Sequence, residues 1–213
     1  MKLLVLGATG ATGKLFVADA LADGHQVTAY VRNPARLTTR DPNLNVITGH
    51  ADDPGALAAA LPGHDAVISM LGNGYGRTGK TLINDSTRAL IHAAEQSGVT
   101  RVVIMSAFGA GDSLPKGSMM GRFFYKRIIP GVLADKARGE AQLKTSGLDW
   151  TLAYPVTLNN KPATGNYTAT TLDRTPKLTG MLSISRADVA AFLLKTAVNG
   201  TYTRQTVALR TAK

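Results

Sequence analysis

The sequence predicts an α/β chain built on one doubly wound parallel sheet with helices on both faces. Three observations predict it. Short apolar runs alternate with amphipathic stretches along nearly the whole chain. The first run ends in a glycine-rich turn that leads straight into a helical pattern. The 213 residues are 44% hydrophobic and 18% charged, which is globular material of a size for one core. A single domain over residues 1–213 is therefore expected.

The elements follow in order. Leu3-Leu4-Val5-Leu6 reads as a buried strand, and Lys14 to Leu21 as an amphipathic helix. Gln26 to Val31 reads as a second strand, and Val46-Ile47-Thr48 as a third. Pro54 to Leu61 fits a short helix capped by Asp53, and Ala66 to Leu71 a fourth strand. Thr81 to Ser97 carries Leu82, Ile83, Leu90, Ile91 and Ala94 near helical spacing, with Gly98 as its C-terminal cap. Arg101 to Ser106 is strand five. Ala134 to Thr145 is a helix stopped by Gly147, and Trp150 to Tyr154 is strand six. Ser185-Arg186-Ala187-Asp188 fits a capping box whose carboxylate reaches back from N3, opening a last helix to about Val198. Thr206 to Leu209 fits a short seventh strand.

The turn after the first strand reads Gly7-Ala8-Thr9-Gly10-Ala11-Thr12-Gly13. Glycines let the backbone turn sharply and approach a pyrophosphate, and the helix N-terminus points unpaired N–H groups at it. The spacing is G-x-x-G-x-x-G, in the strand–turn–helix context that dinucleotide binding requires. The alternative is a merely structural turn. Strand two then ends in Arg32, with Arg36 four residues on and no carboxylate between them. An acidic residue there would hold a ribose 2′-hydroxyl, whereas a guanidinium fork suits a 2′-phosphate. This points to NADP(H). The plainer reading is two solvated arginines on a basic surface.

A second motif competes. Gly74-Tyr75-Gly76-Arg77-Thr78-Gly79-Lys80-Thr81 matches the P-loop pattern letter for letter, between a strand and a helix. In a nucleoside triphosphatase Lys80 would hold phosphates and Thr81 a magnesium ion. The next strand, however, ends in Ser106 where a magnesium-holding aspartate is needed. A loop over the cofactor, with Thr81 starting the helix, is the preferred reading.

Composition narrows the classes further. There is no cysteine, so disulfides and thiolate chemistry are excluded. The four histidines, His25, His50, His64 and His92, are dispersed, and no metal site is expected. No apolar run reaches transmembrane length, and the first one leads directly into the glycines. A cytoplasmic protein without a membrane partner is expected. The net charge of +10 favours anionic partners. The basic residues are scattered, apart from Arg122, Lys126 and Arg127, which suits attraction of an anionic cofactor rather than nucleic acid.

These strings together resemble a known group. The glycine motif, Val31-Arg32-Asn33-Pro34-Ala35-Arg36-Leu37, the Ser106-Ala107-Phe108 after strand five, and Ser146 to Pro155 are similar to atypical short-chain dehydrogenases/reductases. The best match is to NmrA-like NAD(P)H-binding proteins related to biliverdin reductase B, also called flavin reductase. The resemblance covers nearly the whole chain and implies a Rossmann-type fold over residues 1–213. It implies that Gly7, Ala8, Thr9, Gly10, Ala11, Thr12 and Gly13 hold the pyrophosphate, and that Arg32 and Arg36 hold the 2′-phosphate. His50 stands where an acidic residue often meets the adenine. The resemblance also implies that Leu71 and Gly72 flank the adenosine ribose side. It implies that Ser106, Ala107 and Phe108 approach the nicotinamide, with Tyr154, Pro155 and Val156 on its other side. The chain departs from the family in two places. No tyrosine has a lysine four residues later, since Val132 precedes Lys136 at that spacing. Val156 replaces the histidine of the biliverdin and flavin reductase branch.

Flavins, quinones and similar planar acceptors take hydride on an electron-poor ring, and bulk water can supply the proton. Such chemistry suits a dinucleotide site without the tyrosine–lysine pair. The expected activity is NADPH-dependent reduction of a small planar acceptor, a flavin, quinone or tetrapyrrole, by a monomer or homodimer. The candidate catalytic residues are Ser106, which alternatively only ends a strand, and Lys136, which alternatively is an exposed helix lysine. Met119, Met120, Phe123, Phe124 and Tyr125 fit either a lid or a packed helix. From another class, a non-catalytic NmrA-like NADP(H)-sensing regulator suits the missing tyrosine equally. A sugar-nucleotide epimerase is disfavoured by the short chain and the same absence.

Overall fold

A computed structural model describes residues 1–72, 81–117, 130–180 and 182–212. The first half runs β1 (Lys2–Leu6), α1 (Ala11–Ala22), β2 (Gln26–Val31), β3 (Leu44–Thr48), α2 (Pro54–Ala60), β4 (Ala66–Ser69), α3 (Leu82–Ser97) and β5 (Arg101–Met105). The second half runs α4 (Pro130–Thr145), β6 (Asp149–Pro155), β7 (Thr157–Asn159), β8 (Tyr167–Thr171), β9 (Ser183–Ser185), α5 (Arg186–Asn199) and β10 (Gln205–Thr211).

Eight strands form one sheet in the order β3-β2-β1-β4-β5-β6-β10-β8. Leu3, Leu4 and Val5 in β1 and Val102 and Val103 in β5 are fully buried, as continuous apolar strands covered on both faces must be. Helix α1 packs against α5, while α2, α3 and α4 pack side by side in a second layer. Strand β1 pairs with β2 on one side and with β4 on the other, so the chain reverses its winding there. Open α/β sheets bind ligands in the crevice outside the strand ends at such a point.

The structure differs from the expectation of a wholly parallel sheet at one edge. Strand β8 runs antiparallel to β10, and β7 pairs with β9 in a separate two-stranded sheet. The Thr-rich β8 is half-buried along its length, so it lacks the apolar run that marks the inner strands. Helix α4 starts four residues before Ala134, because Gly131 sits in a first turn whose N–H groups have no intrahelical acceptors anyway. Strand β4 stops at Ser69 rather than Leu71, since its partner β1 ends at Leu6 and Gly7 turns away. Gly98 ends α3 with φ +74, as its sequence position predicts.

The Ser185 cap forms, but the box closes differently. Ser185 Oγ accepts from the Asp188 backbone N–H at 2.9 Å. The Asp188 carboxylate does not return to Ser185 N–H. It accepts from the backbone N–H groups of Thr164 and Gly165, both at 2.9 Å, and from Ser185 Oγ at 2.7 Å. The turn at Gly165, with φ +65, presents two adjacent donors that one carboxylate oxygen takes together.

Candidate active site

The glycine turn occupies the crevice at the β1–β4 switch. Gly7 has φ +84, and a Cβ there would stand 2.7 Å from the Met70 carbonyl oxygen at the end of β4. Gly13 lies under the same turn. A Cβ there would overlap the Gly7 carbonyl oxygen and approach Ala8 Cα to 2.9 Å, so only glycine lets α1 pack this close to β1. Gly10 is the N-cap of α1, exposed and without a side-chain cap. The first-turn N–H groups of Ala11, Thr12 and Gly13 therefore face the space beyond the strand ends. Ala8, Thr12 and Gly13 are buried, Thr9 is half-buried, and Ala11 is exposed.

At the end of β2, Arg32 and Arg36 are both exposed. The Asn33 side chain accepts from Ala35 N–H at 3.1 Å and fixes the short turn Pro34–Arg36 between them. Among the described residues neither guanidinium has a hydrogen-bond or ion-pair partner. His50 follows β3 and is exposed, and its carbonyl accepts from the Tyr30 hydroxyl at 3.3 Å. Gly49, which sequence reasoning passed over, must be glycine because a Cβ would run into the Tyr30 ring. Leu71 is half-buried and Gly72 exposed at the mouth of the crevice. An uncapped helix N-terminus, glycines where a phosphate needs room, and two unpartnered arginines fit a dinucleotide carrying a 2′-phosphate.

The other end of the crevice lies beyond β5 and β6. Ser106 N–H donates to the Ala153 carbonyl at 2.8 Å, and Phe108 N–H to the Pro155 carbonyl at 2.9 Å. The ladder thus continues past β5 and sets Ser106, Ala107 and Phe108 beside Tyr154, Pro155 and Val156. Val156 N–H is bound in turn to the Leu209 carbonyl at 3.0 Å. Tyr154 is fully enclosed, at 0% exposure, with its hydroxyl directed inward.

A buried polar cluster stands behind Ser106. Its centre is Glu140 on α4, which is 4% exposed. The Ser106 hydroxyl donates to Glu140 Oε1, and the Tyr154 hydroxyl donates to Oε2 at 2.6 Å. Lys136, one turn earlier on α4, is 7% exposed and donates from Nζ to the Met105 carbonyl at 3.4 Å. The reading of Lys136 as an exposed helix lysine is thereby corrected: α4 turns this face onto the sheet. Asp135 beside it is buried and accepts from the N–H groups of Ile83 and Asn84, at 2.9 and 3.1 Å, at the start of α3. Burial pushes the Glu140 carboxyl above the ordinary carboxylate range, against the pull of the two hydroxyl donors and of Lys136 and Lys144. Burial likewise holds Lys136 below the usual lysine range, opposed by Glu140 and Asp135. Tyr154 is pushed up by burial and then by the Glu140 charge, so it stays a donor.

Sequence reasoning missed Glu140 and Asp135. The signal available was a lysine and a glutamate four apart on one helix face, which usually marks a solvated pair. The P-loop-like residues 74–80, the basic Arg122, Lys126 and Arg127, and the aromatic and Met stretch of 119–125 lie outside the described residues. Thr81 does occupy the N-cap position of α3, without a side-chain cap bond.

Comparison with known proteins identifies the family. Residues 7–199 match the family described as NAD(P)H-binding. The chain belongs to this NAD(P)H-binding family. A Bacillus subtilis protein described as an uncharacterized sugar epimerase is 31% identical over 177 residues, covering 79% of this chain and 78% of that protein. An uncharacterized chloroplastic protein of Arabidopsis thaliana is 29% identical over 179 residues, 78% of this chain, which spans only 62% of that protein's length. The structure of ChuY, described as an anaerobilin reductase of Escherichia coli O157:H7, superposes with a TM-score of 0.82. It shares 27% identity and covers 98% of this chain and 96% of its own. The family assignment and the Rossmann-type sheet therefore agree with the atypical reductase resemblance. Among the described residues no helix is long and apolar enough to cross a membrane.

Proposed function

We propose that this chain is an NADPH-dependent reductase that delivers hydride to a small planar acceptor, a flavin, quinone or tetrapyrrole. The observation that carries the reading is the crevice itself. One end offers an uncapped glycine-lined helix N-terminus with Arg32 and Arg36. The other ends in Ser106 with no Tyr-x-x-x-Lys pair. The likeness to ChuY supports a tetrapyrrole among the candidate acceptors.

When bound, the dinucleotide supplies a hydride. The residues of the chain do the remaining work. The N–H groups of Ala11 to Gly13 bind the pyrophosphate, and the two arginines bind the 2′-phosphate. Ser106, Ala107 and Phe108, with the backbone around Pro155 and Val156, would hold the reacting end of the dinucleotide. The rigid β5–β6 ladder orients both sets. A sugar epimerase, as the Bacillus relative is described, would need a tyrosine base that this sequence lacks at the expected spacing.

The test is steady-state oxidation of NADPH with FMN, a soluble quinone and biliverdin, alongside direct measurement of NADPH binding. Turnover with at least one acceptor is expected. Tight NADPH binding without oxidation by any of them would replace the reductase with an NADP(H)-sensing regulator.

A further inference from the structure

The reductase reading assigns the proton to no side chain, because no tyrosine–lysine pair supplies it and bulk water is the alternative source. Behind Ser106 stands the buried cluster of Glu140 and Tyr154. Tyr154 donates to Glu140 Oε2 and is enclosed, so its hydroxyl hydrogen has no other acceptor in the cluster. Oε2 is thereby occupied, and a proton on Glu140 belongs on Oε1, facing Ser106 Oγ. With Glu140 ionised, Ser106 must donate inward and offers a ligand only lone pairs. With Glu140 protonated, that bond reverses and the Ser106 hydrogen is free to point outward. Gly111, with φ +45, closes the far side: a Cβ there would overlap Glu140 Oε2 and come within 3.0 Å of the Tyr154 hydroxyl.

We propose that Glu140 is the positioning residue and proton store of the site, passing its proton through Ser106 to the acceptor. This rests on the reductase reading above. The acceptor gains hydride and is reduced, while the nicotinamide is oxidised. The Ser106 Oγ–H bond breaks and its proton joins the acceptor atom that has become basic. The Glu140 Oε1–H bond breaks and its proton restores the Ser106 hydroxyl. Glu140 is left as a carboxylate held by two hydroxyl donors, and one solvent proton returns through Ser106 after product leaves. The ionisable groups around Glu140 are Lys136 and Lys144 on α4, Tyr154 on β6 and Asp112 on the short turn after β5. Lys144 is held by Asp112 at 2.5 Å. Where α3 meets α4, the contact at Gly139 is with the uncharged Thr87. Burial keeps Glu140 protonated to higher pH than a solvated glutamate, as a proton store requires.

The experiment pairs kinetics with a readout on the unliganded protein. Infrared spectra of the wild type across a pH series should show a protonated buried carboxyl stretch, absent in Glu140→Gln, that persists above the ordinary carboxylate range. With the best acceptor, kcat/KM of the wild type should fall as this band is lost. Glu140→Gln should lower kcat about 100-fold and flatten that limb, with NADPH affinity within about threefold of wild type. Ser106→Ala should shift the band and remove the same limb, which serves if the glutamine variant does not fold. An active wild type lacking the band, or a glutamine variant with the wild-type pH limb, overturns the relay and leaves the reductase standing. A wild type that binds NADPH and reduces nothing overturns both.

Discussion

The phenol of Tyr154 donates a 2.6 Å hydrogen bond to Glu140 Oε2, tying β6 to α4 inside the protein. The same carboxyl takes the Ser106 hydroxyl on its other oxygen, so three elements converge on one acidic side chain. Such a group is costly to ionise away from water, and stability should record that cost.

The first prediction concerns stability against pH. Burial raises the Glu140 pKa in the folded protein above its unfolded value. Its contribution is therefore fully present below the ordinary carboxylate range and is lost as pH rises through the raised value. Thermal melts of wild type and Glu140→Gln should diverge in this direction: the wild type loses Tm relative to the variant as pH rises above the ordinary carboxylate range. Parallel curves would show that the carboxyl does not titrate abnormally.

A second prediction separates two glycines of one motif. Gly13→Val should destabilise the fold by about 1–3 kcal/mol or prevent folding, because a side chain would enter the Gly7 carbonyl and Ala8. At Gly10 a Cβ would meet only the Gly7 carbonyl oxygen, at 3.2 Å, on an exposed cap. Gly10→Val should remain folded by circular dichroism and lose NADPH binding. Native NADPH affinity in the Gly10 variant would make the turn structural only.

Cofactor choice follows from the end of β2. Loss of one charge-assisted phosphate contact is worth about 1.5–3 kcal/mol, so Arg32→Ala should weaken NADPH tenfold or more and leave NADH nearly unchanged. Fluorescence titration with both nucleotides checks it. Equal wild-type affinity for NADPH and NADH would remove the phosphate role of the arginines.

A fourth prediction tests the tie between α5 and the Gly165 turn. Asp188→Ala removes the acceptor of two backbone N–H groups and of the Ser185 hydroxyl. Bonds to a charged acceptor make this worth about 1.5–3 kcal/mol of stability, seen as a lower urea midpoint. Asp188→Asn, which keeps one acceptor oxygen, should recover part of it. A midpoint unchanged in both variants would mean the turn holds without the carboxylate.

The sequence by itself determined what depends on neighbours along the chain. The apolar run of β1, the glycine turn and the start of α1 are local, and so are Arg32 and Arg36 at the end of β2. The caps at Asp53, Gly98 and Ser185 are written within four residues of the backbone they serve. Tertiary structure alone decided the rest. Glu140 meets Ser106 across 34 residues and Tyr154 across 14, and only the stacking of α4 on β5 and β6 brings them together. Lys136 and Glu140 look like a solvated pair until that packing removes water from them. The antiparallel placement of the Thr-rich β8 likewise depends on pairing with β10 across the chain, because a half-buried edge strand carries no apolar run of its own.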